Sequence, residues 1–167
     1  SIISANRGKI TGKKCIPIIH PAAIMRAWLD RVPTLEDLKR ISEDQHFPEL
    51  RLPEREYLLR PTFDEAIEFL TYIYESKRPI SIDTETKRGG YIATNQFCID
   101  SKTAMCIPFQ YQSGLSYFSL DQEQAIWRAI SQILHNREIV GQNFMMFDTF
   151  IYGMNGMNWK RIINNVV

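Results

Sequence analysis

Two short apolar runs, each followed by acidic residues, constrain the fold of this chain more than any other feature. Pro79-Ile80-Ser81-Ile82 precedes Asp83, and Ile139-Val140-Gly141-Gln142 precedes a segment that ends in Asp148. Runs of this length bounded by turn signals are typical of buried strands. A helical pattern separates them, and a helix crossover favours parallel pairing. The acids are therefore predicted at strand ends, where open α/β sheets bind ligands.

The pattern around these runs predicts helices packed on a mixed sheet. Thr62 and Glu65 form a capping box at the start of a helix that stops before Pro79. Two strands, at 91–99 and 104–109, are joined by a turn-like tetrad and predict a hairpin. Asp121 is the expected cap of the next helix. A strand at 138–141 and a helix at about 145–152 follow, so the fold class is α/β.

The 167 residues suffice for one domain plus a piece of another. Residues 32–61 are rich in proline and charge and predict a linker, with a short helix capped by Thr34 and extended chain elsewhere. We therefore divide the chain into 1–31, 32–61 and 62–167.

Composition narrows the class of protein. The hydrophobic fraction is 44% and the charged fraction is 23%, and no apolar stretch approaches the roughly 20 residues that span a bilayer. The amino-terminal residues do not resemble a signal peptide, and three cysteines without paired spacing predict reduced thiols. We expect a cytoplasmic protein with no membrane partner. The net charge of +1 argues against broad coating of duplex DNA, but it is compatible with a narrow cleft that binds nucleic acid through metal ions.

Three acids carry the predicted chemistry. Asp83 and Glu85 are two residues apart in a strand and project from one face, and Asp148 would approach from the neighbouring strand-helix junction. Carboxylates are suitable ligands for Mg²⁺ or Mn²⁺, and two such cations hydrolyse phosphodiesters. Taken singly, the motifs have simpler explanations: the acids could favour solubility, Asn143 could cap a helix, and Phe147 could be core. Their joint occurrence after two strands favours the metal site.

These motifs resemble the first two motifs of the 3′-to-5′ proofreading exonuclease domains of DNA polymerases. Ile82-Asp83-Thr84-Glu85-Thr86 is similar to the first motif, and Gly141-Gln142-Asn143-Phe144-Met145-Met146-Phe147-Asp148 is similar to the second. The resemblance covers about 62–167 and implies a ribonuclease-H-like mixed sheet with flanking helices, incomplete at its carboxyl end.

The resemblance also implies a role for each matching residue. Asp83 would bridge two divalent cations, Mg²⁺ or Mn²⁺, with Glu85 on the water-activating cation and Asp148 on the second. The residues that would bind or position the substrate are Thr84, Asn143 and Phe147.

The implied activity is removal of 3′-terminal nucleotides from single-stranded DNA, as part of a phage-type DNA polymerase in the cytoplasm of a bacterial host. The polymerase domain would be a partner in the same chain. The family's fourth acid lies downstream of the second motif, so we expect weak activity or none from these residues alone. The alternatives are a stand-alone DNA or RNA exonuclease and a noncatalytic nucleic-acid-binding scaffold of the same fold.

A segment within residues 1–31 resembles a second protein family. The string from His20 through Pro21 to Arg26 is similar to the carboxy-terminal motif of iron-sulfur uracil-DNA glycosylases, which makes His20 the candidate residue of a remnant module. The simpler interpretation is a strand followed by a helix with Pro21 in its first turn.

Two further features of the sequence have a functional and a simpler interpretation. The basic loop 87–90 could contact phosphates or be an ordinary turn. Four aromatic residues could stack on unpaired bases or simply fill core and surface: Tyr91, Phe97, Tyr111 and Tyr117.

Overall fold

The computed structural model describes residues 8–10, 13–49, 51, 54–87 and 89–167. They form two compact units, Ser1–Pro53 and Glu54–Val167, which are described separately. None of the described helices is both long and apolar enough to span a bilayer.

The first unit combines a small hairpin with helices. Strands β1 (Gly8–Ile10) and β2 (Lys13–Cys15) pair antiparallel. Helix α1 (Pro21–Ile24), a 3-10 turn (Trp28–Asp30) and helix α2 (Arg31–Asp44) follow. The helix that begins at Pro21 is the one expected from the sequence.

Helix α2 is longer than the sequence predicted. A short helix capped by Thr34 was expected, with extended chain after it; instead 14 residues are helical and Thr34 lies inside the first turn, where its hydroxyl donates to the Asp30 carbonyl at 2.6 Å. Pro33 is tolerated because the first turn needs no N–H donor. An ion pair between Lys39 and Glu36 at 2.7 Å is one of the i,i+3 contacts that support the continuation.

The second unit contains the larger sheet. Its elements are β3 (Glu56–Leu58), α3 (Phe63–Glu75), β4 (Ile80–Thr86), β5 (Ile92–Cys98), β6 (Thr103–Pro108), α4 (Leu120–Asn136), β7 (Ile139–Val140), α5 (Asp148–Met154) and α6 (Trp159–Ile163).

The sheet is mixed, which confirms the α/β fold class. Its strand order is β3-β6-β5-β4-β7. The pairs β4/β5 and β5/β6 are antiparallel, whereas β3/β6 and β4/β7 are parallel. The predicted hairpin is therefore present, and its turn is closed by Asp100, whose Oδ1 accepts from the N–H groups of Lys102 and Thr103 at 2.8 and 3.0 Å. These backbone hydrogen bonds lower the pKa of Asp100.

Local capping explains where the two long helices begin. Thr62 and Glu65 form the expected capping box at the start of α3. At α4 the sequence prediction was wrong: the N-cap is Ser119, which forms a capping box with Gln122, and Asp121 lies in the first turn. Ser119 is the cap because Gln122 lies three residues later, where its Oε1 accepts a hydrogen bond from the Ser119 backbone N–H at 3.1 Å.

One face of the sheet is buried beneath α3 and α4. Inward residues of β4 and β6 join helix residues in one cluster that includes Leu70, Ile82, Ile107 and Ile130. The opposite face carries exposed or half-buried side chains, among them Ser81, Asp83, Glu85, Thr94, Gln96 and Cys106. We call this the open face.

Candidate active site

Strand β4 sends the two acids of the first motif to the open face. Ile82 and Thr84 are buried at 2% and 3% exposure, whereas Asp83 and Glu85 are exposed. This alternation follows from the two-residue period of a strand. The acids therefore lie side by side along the strand, as the sequence predicted.

A buried polar cluster supports the strand from its inner face. The Tyr152 hydroxyl of α5 donates to Asn95 Oδ1 of β5 at 2.8 Å. The Thr84 hydroxyl lies 3.0 Å from the same oxygen and 3.1 Å from the Tyr152 oxygen. Asn95 and Tyr152 are fully buried, and burial raises the pKa of Tyr152 so that it remains a phenol. The cluster joins β4, β5 and α5 beneath the acids.

Asp148, the acid of the second motif, is the first residue of α5 and is only 2% exposed. Burial raises the pKa of Asp148, and the negative charge of Asp83 raises it further, while hydrogen bonding to Thr84 acts in the opposite direction. Its Oδ1 makes no hydrogen bond to any described residue. Asp148 is thus a buried carboxyl group, close to a second acid, with an oxygen left without a partner.

Gly141 brings the second motif against β4. A Cβ atom added at Gly141 would lie 2.8 Å from two atoms of the Phe144 side chain and 2.9 Å from the Ile82 carbonyl oxygen. Real Cβ atoms do not approach that closely, so only glycine fits between the turn and the strand. Because Ile82 immediately precedes Asp83, this contact sets the distance between the two motifs.

The turn after Gly141 contains both residues predicted to position a substrate terminus. Asn143 adopts φ 58°, and its carbonyl accepts from the N–H groups of Met146 and Phe147, each at 3.1 Å. Asn143 does not cap α5, whose N-cap position is Phe147. Phe147 is 42% exposed, so it is not a core residue; the buried aromatic of the motif is Phe144 at 1% exposure. The substrate roles of Asn143 and Phe147 stay predictions.

Thr84 and His20 have local structural roles in this structure. The Thr84 side chain faces the buried cluster, so contact with a substrate through this residue stays a prediction. His20 is the N-cap of α1, and its Nδ1 accepts from the Ala22 N–H at 3.1 Å. The proposed link between His20 and a glycosylase also stays a prediction.

The loop that follows β4 is anchored at both ends. Lys87 donates through Nζ to the Tyr111 carbonyl at 3.1 Å, and Asn155 donates to the Gly90 carbonyl at 3.2 Å. The Lys87 N–H also bonds the Tyr91 carbonyl at 2.9 Å. The described residues of this loop therefore form an anchored turn, with the Lys87 ammonium group exposed beside the end of β4.

The oxygen donors of the site suit Mg²⁺ or Mn²⁺. The unpartnered Oδ1 of Asp148, with the Asp83 charge nearby, is the observation that fits a cation. Within the part of the chain that the structure describes, however, no three His, Cys, Asp or Glu side chains are arranged to hold a metal ion. Asp83 and Asp148 interact electrostatically, and Glu85 lies beside Asp83 on the open face. The ligand roles of the three acids stay predictions.

The sequence did not predict Asn95 and Tyr152, the two residues that support β4 on the face opposite the acids. Asn95 had a detectable signal, because it is a polar residue at an inward position of an otherwise apolar alternation. Tyr152 follows Asp148 by four residues and so lies on the same face of α5. Their contact spans 57 residues of sequence, which no local pattern reports.

No protein-family model and no curated protein matches this chain. Among solved structures, the chain is similar to Trypanosoma brucei RNase D, whose crystal structure was determined as a complex with RNA U12. The TM-score is 0.44 and the sequence identity is 15%, over 62% of this chain and 35% of that one. The chain therefore spans about a third of the length of that RNase D.

Proposed function

We propose that this chain is part of a metal-dependent 3′-to-5′ exonuclease that acts on single-stranded DNA. The observation that carries the proposal is the relation between Asp83 and Asp148: one acid is exposed on the open face, and the other is buried beside it with an unpartnered oxygen. Thr84 satisfies only part of the Asp148 carboxyl group, and a buried polar atom without a hydrogen bond is costly. Such a group is a candidate for a functional site.

Each acid has a distinct part in the proposed reaction. Asp83 and Glu85 of β4 and Asp148 at the start of α5 would together hold two divalent cations. Divalent cations, when bound, activate water and stabilise the charge on the leaving oxygen. The buried cluster of Thr84, Asn95 and Tyr152 keeps β4 and α5 in place while the outer acids bind.

Protons and cations would compete for Asp148. A carboxyl group whose pKa is raised by burial must lose its proton before it can bind a cation. Activity should therefore rise with pH as Asp148 ionises, and a higher Mn²⁺ concentration should move that rise to lower pH.

The biological setting is a further part of the proposal. The sequence motifs support a proofreading role within a phage-type DNA polymerase, and the string at His20 supports a glycosylase-like remnant ahead of it. The protein would act during DNA replication in the cytoplasm, with the polymerase domain as its partner. A stand-alone DNA or RNA exonuclease would use the same acids.

The test is degradation of a 5′-labelled single-stranded oligonucleotide with Mn²⁺ or with EDTA. Because these residues carry three of the family's four acids, we expect only slow shortening from the 3′ end, which requires Mn²⁺ and is abolished by Asp83→Asn. Asp64→Asn, an acid in the first turn of α3, is the matched control and should retain the wild-type rate. Cleavage that persists unchanged in Asp83→Asn would refute the assignment of the site.

The absence of a three-ligand cluster among the described residues favours one second candidate, a noncatalytic nucleic-acid-binding scaffold. Calorimetric titration with Mn²⁺ separates the two functions. Binding that is lost in Asp83→Ala supports the exonuclease, whereas absence of Mn²⁺ binding together with retained oligonucleotide binding supports the scaffold.

A further inference from the structure

A groove of about 540 Å³ runs along the open face next to Glu85. Its floor is formed by Thr94, Cys106 and Pro108. Thr94 lies directly opposite Glu85 in the β4/β5 register, and Pro108 lies opposite Thr94 in the β5/β6 register. Directly opposed side chains of antiparallel strands are about 5 Å apart at Cβ. The groove therefore begins one strand away from the acids.

Two tyrosines whose rings contact each other are among the residues that line the groove. Tyr111 and Tyr117 have ring centroids 5.0 Å apart at an interplanar angle of 43°. Tyr111 is exposed, at 50%, whereas Tyr117 is more deeply buried. Tyr117 also packs edge-on against Phe118, with 4.7 Å between the ring centroids. Tyr117 thus anchors Tyr111 from one side and leaves part of the Tyr111 ring in solvent.

The backbone holds Tyr111 in this position before any ligand binds. The Tyr111 N–H donates to the Leu115 carbonyl at 2.9 Å, and the Tyr117 N–H donates to the Phe109 carbonyl at 2.9 Å. Gly114, at φ 89°, closes the turn between them. A side chain on such a hydrogen-bonded loop loses little freedom on binding, which favours affinity.

Two positively charged side chains lie near these tyrosines. Arg60 lines the groove, and its charge lowers the pKa of the Tyr117 hydroxyl against the larger effect of burial, which raises that pKa. Lys87 is exposed and donates one of its three N–H groups to the Tyr111 carbonyl. The groove therefore combines an exposed aromatic ring with positive charge, while the acids lie beyond its end.

We propose that this groove binds single-stranded nucleic acid by stacking a base on Tyr111, with Arg60 and Lys87 facing the phosphates of the same strand. Exposed aromatic rings beside positive charge are the usual means of binding unpaired strands without regard to sequence. The direction of the bound nucleic-acid strand, from the groove toward Glu85, rests on the proposed function. Stacking itself needs no active cleavage site.

The test measures binding of a fluorescein-labelled oligothymidylate of about eight nucleotides, a length within the range that single-strand-binding OB-folds cover. EDTA excludes cleavage, and fluorescence anisotropy reports the Kd. We expect Tyr111→Ala to weaken binding by about five- to tenfold, the effect of one lost stacking contact. Tyr72→Ala is the matched control, since Tyr72 is 56% exposed on α3 and lies outside the groove.

An abasic oligonucleotide with the same number of phosphates separates stacking from charge. Tyr111→Ala should not change its affinity, whereas Arg60→Ala should weaken both ligands and lower the salt dependence of binding by about one phosphate contact. Tyr111→Phe retains the ring and should bind as wild type, which also controls for folding. Equal affinities for Tyr111→Ala and Tyr72→Ala, or equal losses for both ligands, would overturn the proposal.

Failure of the groove and failure of the exonuclease give different results. Mn²⁺-dependent cleavage without any effect of Tyr111→Ala on binding would refute the groove alone. Binding that depends on Tyr111, with neither cleavage nor calorimetric Mn²⁺ binding by the wild type, would refute the exonuclease alone.

Discussion

Tyr152 of α5 donates its hydroxyl hydrogen to Asn95 of β5 across 2.8 Å, in a place where neither side chain meets solvent. The bond fixes the helix that begins with Asp148 against the strand that neighbours Asp83. The spacing between the two acidic motifs therefore depends on a contact that contains no acid.

Removing that hydroxyl should lower stability. Tyr152→Phe retains the ring but leaves Asn95 Oδ1 with Thr84 as its remaining donor, so we expect a loss of about 1–3 kcal/mol in the free energy of unfolding. Urea denaturation followed by circular dichroism measures this. Tyr74→Phe, at a site that is 37% exposed, is the control and should change stability little. Equal effects of the two substitutions would contradict the structural role of the cluster.

Asp148 should make the stability of the protein depend on pH. Burial raises the pKa of its carboxyl group above the ordinary value of 3.8. Folding thus favours the protonated form, and this stabilisation is present below the unfolded-state pKa and is lost as pH rises through the folded-state pKa. Asp148→Asn should raise the melting temperature near about pH 7 and should lose this advantage as the pH falls toward about 4. An advantage that is the same at both pH values would exclude Asp148 as its cause.

Binding of a divalent cation at Asp148 should stabilise the folded wild-type protein. A ligand that binds only the folded state raises its stability in proportion to the logarithm of ligand concentration. We expect Mn²⁺ to raise the melting temperature of the wild-type protein and to leave Asp148→Asn nearly unchanged. Asp64→Asn should respond as the wild type does. A shift of the same size in all three proteins would indicate cation binding elsewhere.

Gly141→Ala should disturb the turn between the two motifs. The new methyl group would meet the Ile82 carbonyl oxygen at 2.9 Å, and a backbone atom in the centre of a sheet cannot move aside cheaply. We expect a loss of about 1–3 kcal/mol in the free energy of unfolding. Gly153→Ala is the control: its nearest contact would be the Trp159 side chain at 3.3 Å, and alanine favours the helix. Equal decreases in the melting temperature of the two variants would argue against a special fit at Gly141.

The two possible caps of α4 can be separated by mutation. Ser119→Ala removes the capping hydroxyl and should cost about 1 kcal/mol, as N-cap losses generally do. Asp121→Ala removes only an acid in the first turn, where the helix dipole contributes less. A larger loss at Asp121, measured by chemical denaturation, would restore the interpretation drawn from the sequence.

The parts of the fold that could be predicted from sequence are those that local chemistry decides. Thr62 starts α3 because its partner Glu65 is three residues away, and the Asp100 turn is closed by its neighbours. Ser119 was missed because Asp121 is also a good cap residue, and the choice depends on which of them can form a reciprocal pair. A three-residue strand at Glu56–Leu58 has no period long enough to detect.

The candidate site divides in the same way. The shared face of Asp83 and Glu85 follows from the strand period alone. The burial of Asp148 and the partners of Thr84 depend on how α5 packs on the sheet, which joins residues far apart in sequence. The groove at Tyr111 depends on the β5/β6 register together with a loop, so the sequence could offer the tyrosines only as candidates.

Strand β3 has a practical consequence for producing the protein. It pairs in parallel with β6, with Glu56 opposite Thr103 and Leu58 opposite Met105, and so occupies the edge of the sheet. A shorter version starting at Thr62, the boundary suggested by the sequence pattern, would leave the outer N–H and C=O groups of β6 unpaired. Bare edges of this kind recruit strands from other molecules. Expression should therefore begin no later than Glu54, so that the sheet keeps its own edge and the soluble yield does not fall through edge-to-edge aggregation.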